Sequence, residues 1–292
     1  LSMDFGDRSV LFMVGMFLSA NLLGLAAGMR IQSSPVVQQA SAAYQQPVSG
    51  VYFFLMIGLA TVLLLGLYRY DAQFLVKAWF SAALLITGLV FFDAFLPLSF
   101  ALAATAAVFL GRFAVEDMLA RNALDTVPFA GAGALFGSLL GFKAALVLFG
   151  LLAVYDYVAV NRMGHMVTLA KKGAESGTFM GFRYPKENAG EEEREETPGE
   201  GEGVVAEVEG ENVSVGVLGG GDVIMPMMFA VSLVPVFGVG AALGVIAGAS
   251  AALYMFLGFI RSRETDRFYP AIPVVGSGSL LGLLAWLVVA LV

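Results

Sequence analysis

Asp222 lies in the run Leu218-Gly219-Gly220-Gly221-Asp222-Val223-Ile224-Met225-Pro226, within sequence otherwise apolar enough to cross a membrane. An acidic residue at the centre of a membrane helix costs roughly 2.5 to 3.5 kcal/mol on insertion scales, and each of three successive glycines costs about 1 kcal/mol in helix propensity. A chain that tolerates both within one turn points to a carboxylate in use. A second carboxylate, Asp156, stands in Tyr155-Asp156-Tyr157 near the end of another apolar run. If the two runs cross in opposite directions, the rise of 1.5 Å per residue puts Asp156 roughly 10 Å and Asp222 roughly 9 Å from the same membrane face. Carboxylates that meet at one depth share a proton, one serving as base while the other serves as acid. Such a pair can activate a water and polarise a peptide carbonyl without a metal or a covalent intermediate. Pro270-Ala271-Ile272-Pro273 falls at the same face. Its two prolines, three apart, are expected to prevent regular helix and leave backbone groups unpaired, which is tolerable only against protein or water.

The elements that must position these residues are membrane helices. The chain has 292 residues, 59% hydrophobic and 13% charged, with mean hydropathy +0.83, where soluble domains are about a quarter charged. This is the composition of a polytopic membrane protein. The absence of cysteine excludes disulfides, thiol catalysis and cysteine metal sites, and the single histidine, His165, argues against a histidine triad or a multi-histidine metal site. Neither a metal nor a cofactor is expected. The net charge of -7 is local, because eleven glutamates lie between Glu187 and Glu211 and the remainder holds 12 acids and 15 bases. Nothing in that balance suggests nucleic acid as a partner. Leu1-Ser2 reads as a remnant ahead of an initiator Met3.

With about 20 residues needed per crossing, apolar runs suggest spans near 9–29, 51–68, 74–92, 95–111, 127–142, 144–163, 216–237, 239–259 and 270–292. The tract 127–160 reads either as one long helix or as two spans broken near Gly141 and Lys143, and charge favours two. In that arrangement 14 of the 16 lysines and arginines face one side, with Arg30 and Lys143 on the other. The positive-inside rule then gives nine spans, an N-terminus inside and a C-terminus outside. The expected organisation is helices one to six over 1–163, an acidic, largely disordered inside loop over 164–215, and helices seven to nine over 216–292.

Glycines recur every four residues at Gly24 and Gly28, at Gly133, Gly137 and Gly141, and at Gly240, Gly244 and Gly248, a spacing that lets membrane helices approach closely. The glutamate- and glycine-rich stretch Glu187–Gly203 is expected to be disordered. After it, 204–209 and 212–215 alternate apolar with polar around Gly210-Glu211, a pattern that suggests a short β-hairpin before the seventh span. Ser19 and Asn21 read as interhelical hydrogen bonders, Asp93 as a solvated or capping carboxylate, and Trp79 and Trp286 as membrane-interface anchors.

Tyr155-Asp156, Gly219-Gly220-Gly221-Asp222 as a Gly-x-Gly-Asp sequence, and Pro270-Ala271-Ile272-Pro273 occur in the sixth, seventh and ninth expected spans. In order and placement they resemble the presenilin and signal-peptide-peptidase family of intramembrane aspartyl proteases. The nine-span count and the long loop between spans six and seven match as well, and the chain length resembles archaeal members. The resemblance implies that Asp156 and Asp222 are the catalytic pair and that Tyr155 supports the site. It also implies that Gly219 and Gly221 permit close approach of substrate backbone, and that Pro270, Ala271 and Ile272 shape the active site. Ile272 stands where the family has leucine. In membrane orientation the chain resembles presenilins, which implies single-span substrates with their N-termini outside. The hairpin then gains a role, since Val204, Val208, Val213 and Val215 could pair with an unwound substrate end.

The function expected is an intramembrane aspartic endopeptidase, integral and multi-pass, in the cell membrane if the source is prokaryotic, embedded in a lipid bilayer and compatible with a homo-oligomer. The alternative is an ion transporter or cation channel that uses the same carboxylates as ion ligands. Against it, the first 140 residues hold no counterpart of Tyr155-Asp156 or Gly219–Asp222.

Overall fold

The computed structural model describes residues 5–159, 180–185, 215–261 and 270–291. Helix α1 (Phe5–Gln32) is followed by the short α2 (Pro35–Ser41), a 3-10 turn (Ala42–Tyr44), α3 (Pro47–Arg69), α4 (Gln73–Asp93), α5 (Leu98–Ala114), α6 (Met118–Leu139) and α7 (Phe142–Val158). Strands β1 (Gly181–Pro185) and β2 (Val215–Gly219) precede α8 (Gly220–Arg261) and α9 (Ala271–Leu291). The chain is therefore all-α apart from one two-stranded sheet among the described residues. Among the described residues, five helices are long and apolar enough to cross a membrane, namely Ser9–Gln32, Pro47–Arg69, Gln73–Asp93, Gly220–Ile260 and Ala271–Leu291, and Leu98–Ala114 is a shorter apolar helix.

Local sequence accounts for the boundaries. Proline opens α2 and α3 at the first turn, where its missing N–H would have no helical partner. The Asp117 side chain caps α6 by accepting from the Ala120 N–H at 2.8 Å. The long apolar tract is divided at Leu140 and Gly141, whose ψ angles of 128° and 153° end α6 and admit α7. At 42 residues, α8 would be about 63 Å long if straight, twice the roughly 30 Å of a bilayer core. It is broken at Gly238, with φ 78° and ψ 176°, a conformation open essentially to glycine alone. One buried cluster joins Met228, Phe229 and Leu233 to Ala241, Val245 and Ile246. Another joins Val223 and Met227 to Ala249, Leu253 and Leu257. Sharing of both clusters is the pattern of two arms folded back on one another at Gly238.

The glycine spacing works as the sequence suggests. A side chain at Gly24 or Gly133 would collide with Met227, and one at Gly28 or Gly137 with Val231, so α1 and α6 close on the first arm of α8. On the second arm, Gly244 and Gly248 face Gly282 and Gly278 of α9 at backbone contact, and Gly240 lies under the Trp286 indole. Trp286 therefore packs in a helix seam, which the reading as an interface anchor did not anticipate, whereas Trp79 is exposed.

Two further expectations change. Residues 216–219 are strand and α8 starts only at Gly220. Glycines at 216 and 219 disfavour helix, and pairing with 181–185 satisfies the backbone instead. Ser19 and Asn21 donate to Gly15 and Phe17 of their own helix, at 2.8 and 2.9 Å, rather than to a neighbour. The uncharged stretch around Gln38 and Gln45 folds as α2 and the 3-10 turn. From the end of α1, Gln32 donates its amide to the Val231 carbonyl at 2.8 Å, the carbonyl that Pro235, four residues on, cannot bond.

Because the turn between the arms rests on a positive φ, Gly238→Ala is expected to cost about 1 to 3 kcal/mol, read as a lowered thermal midpoint of the detergent-solubilised protein. An unchanged midpoint would show that the break does not depend on this conformation.

Candidate active site

Asp156 is in the last turn of α7 and Asp222 in the first turn of α8. Asp156 is buried, and its carboxylate accepts the Ile272 N–H at 3.2 Å. That donor is one of those which the start of any helix leaves without an internal partner. Here α9 begins at Ala271 with Pro273 inside its first turn, so the two prolines admit a helix start rather than preventing helix. Pro273 would have no N–H partner at that position in any case. Asp222 is half-buried, accepts from the Gly219 N–H, and lies within electrostatic range of Asp156. Its reach back across three residues to the helix entry is the geometry of a capping-box acid.

The structure thus gathers Asp156, Asp222, Gly219 and Ile272 at one place. Ala271 is buried with Val275 and Val223 below them, and Pro270 precedes it half-buried. Tyr155, half-buried, sits edge-on to Phe54 with ring centroids 6.1 Å apart. The three glycines of the run differ in the room around them. A side chain at Gly221 would meet open space, and one at Gly219 would stand 3.2 Å from the Asp222 carboxylate. Gly220, which the sequence reading passed over, is the crowded one, because a side chain there would come within 2.7 Å of the Phe129 ring. Its N–H also donates to the Met180 carbonyl at 3.1 Å.

The sheet runs directly into this site. β1 and β2 are antiparallel, with Phe182 opposite Leu218 and Arg183 opposite Val217. Phe182 is fully buried against Phe129 of α6, edge to face at 5.2 Å. Of the valines expected to pair with substrate, Val215 opens β2, whereas Val204, Val208 and Val213 lie outside the described residues. The partner of β2 is a strand some thirty residues earlier, which the sequence reading did not identify.

Beside the sheet is a charged cluster that sequence reading also missed. Arg112, counted there only as an inside-facing charge, is buried and bonded to the buried Asp125 at 2.5 Å, and its guanidinium lies 5.0 Å from the Phe80 ring centroid. Arg183 of β1 is half-buried. Burial, and then the like charge of Arg121, lower its guanidinium from the ordinary value, and Asp125 opposes them. Two opposite charges thirteen residues apart carry no periodic signal in a sequence, so folding alone brings them together.

The sequence matches the family described as signal-peptide peptidase, presenilin aspartyl protease over residues 14–292. The chain belongs to that family. It is accordingly an intramembrane-cleaving aspartic endopeptidase and an integral, multi-pass membrane protein. Two solved structures of a presenilin family intramembrane aspartate protease, in space groups C222 and P2, share the fold. Each is 23% identical, with TM-scores of 0.61 and 0.64, covering 94% and 95% of this chain and 95% and 96% of theirs. No match was found among the curated proteins. The alternative of an ion transporter or channel gains no support from these similarities.

The two inner glycines provide a direct test of the site's packing. Gly220→Ala is expected to destabilise the protease by about 1 to 3 kcal/mol through the collision with Phe129, while Gly221→Ala, with room and a better helix former, leaves the thermal midpoint equal or higher. Equal midpoints for the two variants would contradict the crowding.

Proposed function

We propose that Asp156 and Asp222 are the catalytic pair of this protease and act on a water without metal or covalent intermediate. The observation that carries the reading is that α7, α8 and α9 each deliver one part of a single polar centre. Asp156 comes from the first, Asp222 from the second, and the Ile272 N–H from the third. One carboxylate takes a proton from the water as its oxygen attacks the peptide carbonyl, and the other gives a proton to the carbonyl oxygen. The tetrahedral intermediate collapses as a proton passes to the leaving nitrogen. Tyr155, Gly219, Gly221, Pro270, Ala271 and Ile272 support the pair.

The nine crossings are α1, α3, α4, α5, α6, α7, the two arms of α8, and α9. The 14 to 2 division of basic residues supports an inside N-terminus and an outside C-terminus. The centre then opens to the inside, and the substrates are single-span proteins with their N-termini outside. A helical substrate must unwind before its peptide bonds can be attacked, and β2 offers the unwound segment a strand to pair with, replacing the lost helical bonds. Val215 and Val217 lie on that strand.

The reading is tested by reconstituting Asp156→Asn and Asp222→Asn with a single-span substrate. Each is expected to lose cleavage by roughly a thousandfold or more, with thermal midpoints at or above that of the wild type. Cleavage at the wild-type rate in either variant would overturn the assignment.

A further inference from the structure

Asn122, in the first turns of α6, is 2% exposed and grips one residue of β1 with both ends of its amide. Its Nδ2 donates to the Arg183 carbonyl at 2.7 Å, and its Oδ1 accepts from the Arg183 N–H at 3.0 Å. In an antiparallel ladder, the N–H and C=O of a residue point together, either toward the paired strand or away from it. Since Asn122 takes both, those of Arg183 point away from β2. Arg183 and Val217 are opposite one another, so theirs is a non-hydrogen-bonded pair. The N–H and C=O of Val217 therefore point outward from the other edge. One edge of the sheet is closed by a side chain, and among the described residues the edge that remains is that of β2.

The same face of α6 sets where that edge stands. Phe129, two turns beyond Asn122, packs on Phe182 and crowds Gly220, two residues before Asp222. Asp125, between them on α6, is locked to Arg112. One rigid helix thus touches β1 at two adjacent residues and the start of α8 at a third point. We propose that Asn122 is a positioning residue that closes the β1 edge and fixes the β2 edge relative to Asp222, and so determines which substrate peptide bond is cut. This rests on the reading that substrate pairs with β2.

The test compares product masses, KM and kcat for the full chain in liposomes with a single-span substrate, using wild type, Asn122→Ala, Asn122→Asp and Val217→Pro. Asn122→Ala frees β1 at Arg183 but keeps the Phe182 anchor. It is expected to spread cleavage to neighbouring bonds and to raise KM roughly tenfold, the scale of one or two net hydrogen bonds, with a smaller change in kcat. Asn122→Asp keeps the acceptor for the Arg183 N–H and should fall between Asn122→Ala and the wild type. It also carries the test if Asn122→Ala does not fold. A lower thermal midpoint and rate with the wild-type product set and KM would mean that Asn122 is merely structural, and would overturn the proposal. Val217→Pro removes an outward N–H while sparing the ladder, and should abolish cleavage. If it cleaves like wild type, pairing on β2 falls and the Asn122 proposal falls with it. If it abolishes cleavage while Asn122→Ala leaves the products unchanged, only the Asn122 proposal falls.

Discussion

The closeness with which α8 is held governs everything at the site. Apolar side chains gain nothing by leaving lipid for protein, so membrane helices associate through close packing and hydrogen bonds instead. Here that closeness comes from missing side chains. Met227 fills the space left by Gly24 and Gly133, and Val231 that left by Gly28 and Gly137. Asp222 stands just over one turn before Met227, so the seam that receives Met227 also sets the height of the carboxylate. On the second arm, the backbone contacts of Gly244 and Gly248 with Gly282 and Gly278 seat α9, whose first turn supplies the Ile272 N–H to Asp156. Both carboxylates are thus located through glycine seams on one broken helix.

A second constraint follows from the first. Bringing broken helices to membrane depth leaves backbone groups that lipid cannot satisfy, and the described residues meet this with specific partners. The carbonyl freed by Pro235 is taken by Gln32. The N–H groups at the entries of α8 and α9 go to the Met180 carbonyl and to the two aspartates. The carboxylates are therefore part of the backbone accounting of the helices that carry them, and the site and the helix starts form one structure.

These constraints explain what could be read from the chain in advance. Helices α1, α3, α4 and α9 were legible because long apolar runs encode them, and so was the α6–α7 break, since Gly141 and Lys143 interrupt an otherwise continuous tract. The four-residue glycine spacing was legible as packing because it depends only on helical periodicity. Asp156, Asp222 and the Pro270–Pro273 turn stood out because charge and proline are conspicuous in apolar sequence. What escaped were features made by tertiary contact. β1 is five residues, Gly-Phe-Arg-Tyr-Pro, with no alternation, and it is a strand because Leu218 and Phe129 receive Phe182. Asn122 looks like any polar residue at an interfacial helix start until Arg183 is placed beside it. Gly220 was overlooked because its neighbour Phe129 is ninety-one residues away. The start of α8 was set too early because apolar valines at 215 and 217 serve a strand as well as a helix.

The order strand, glycine, aspartate has a physical logic on the proposed reading. A substrate segment that unwinds in a bilayer loses helical hydrogen bonds, and each polar group left bare costs about 1 to 3 kcal/mol. Several such groups would make unwinding prohibitive without a strand to receive them. β2 can receive them only on the edge away from β1, and its outward groups recur every second residue, at Val215, Val217 and Gly219. At Gly219 the sequence of donors ends, because its N–H is already bonded to the Asp222 carboxylate. The ladder open to a substrate therefore stops where the carboxylates begin. A chain paired along β2 would run out of backbone partners at the point where its next peptide bond faces Asp156 and Asp222, leaving that bond unpaired and open to attack.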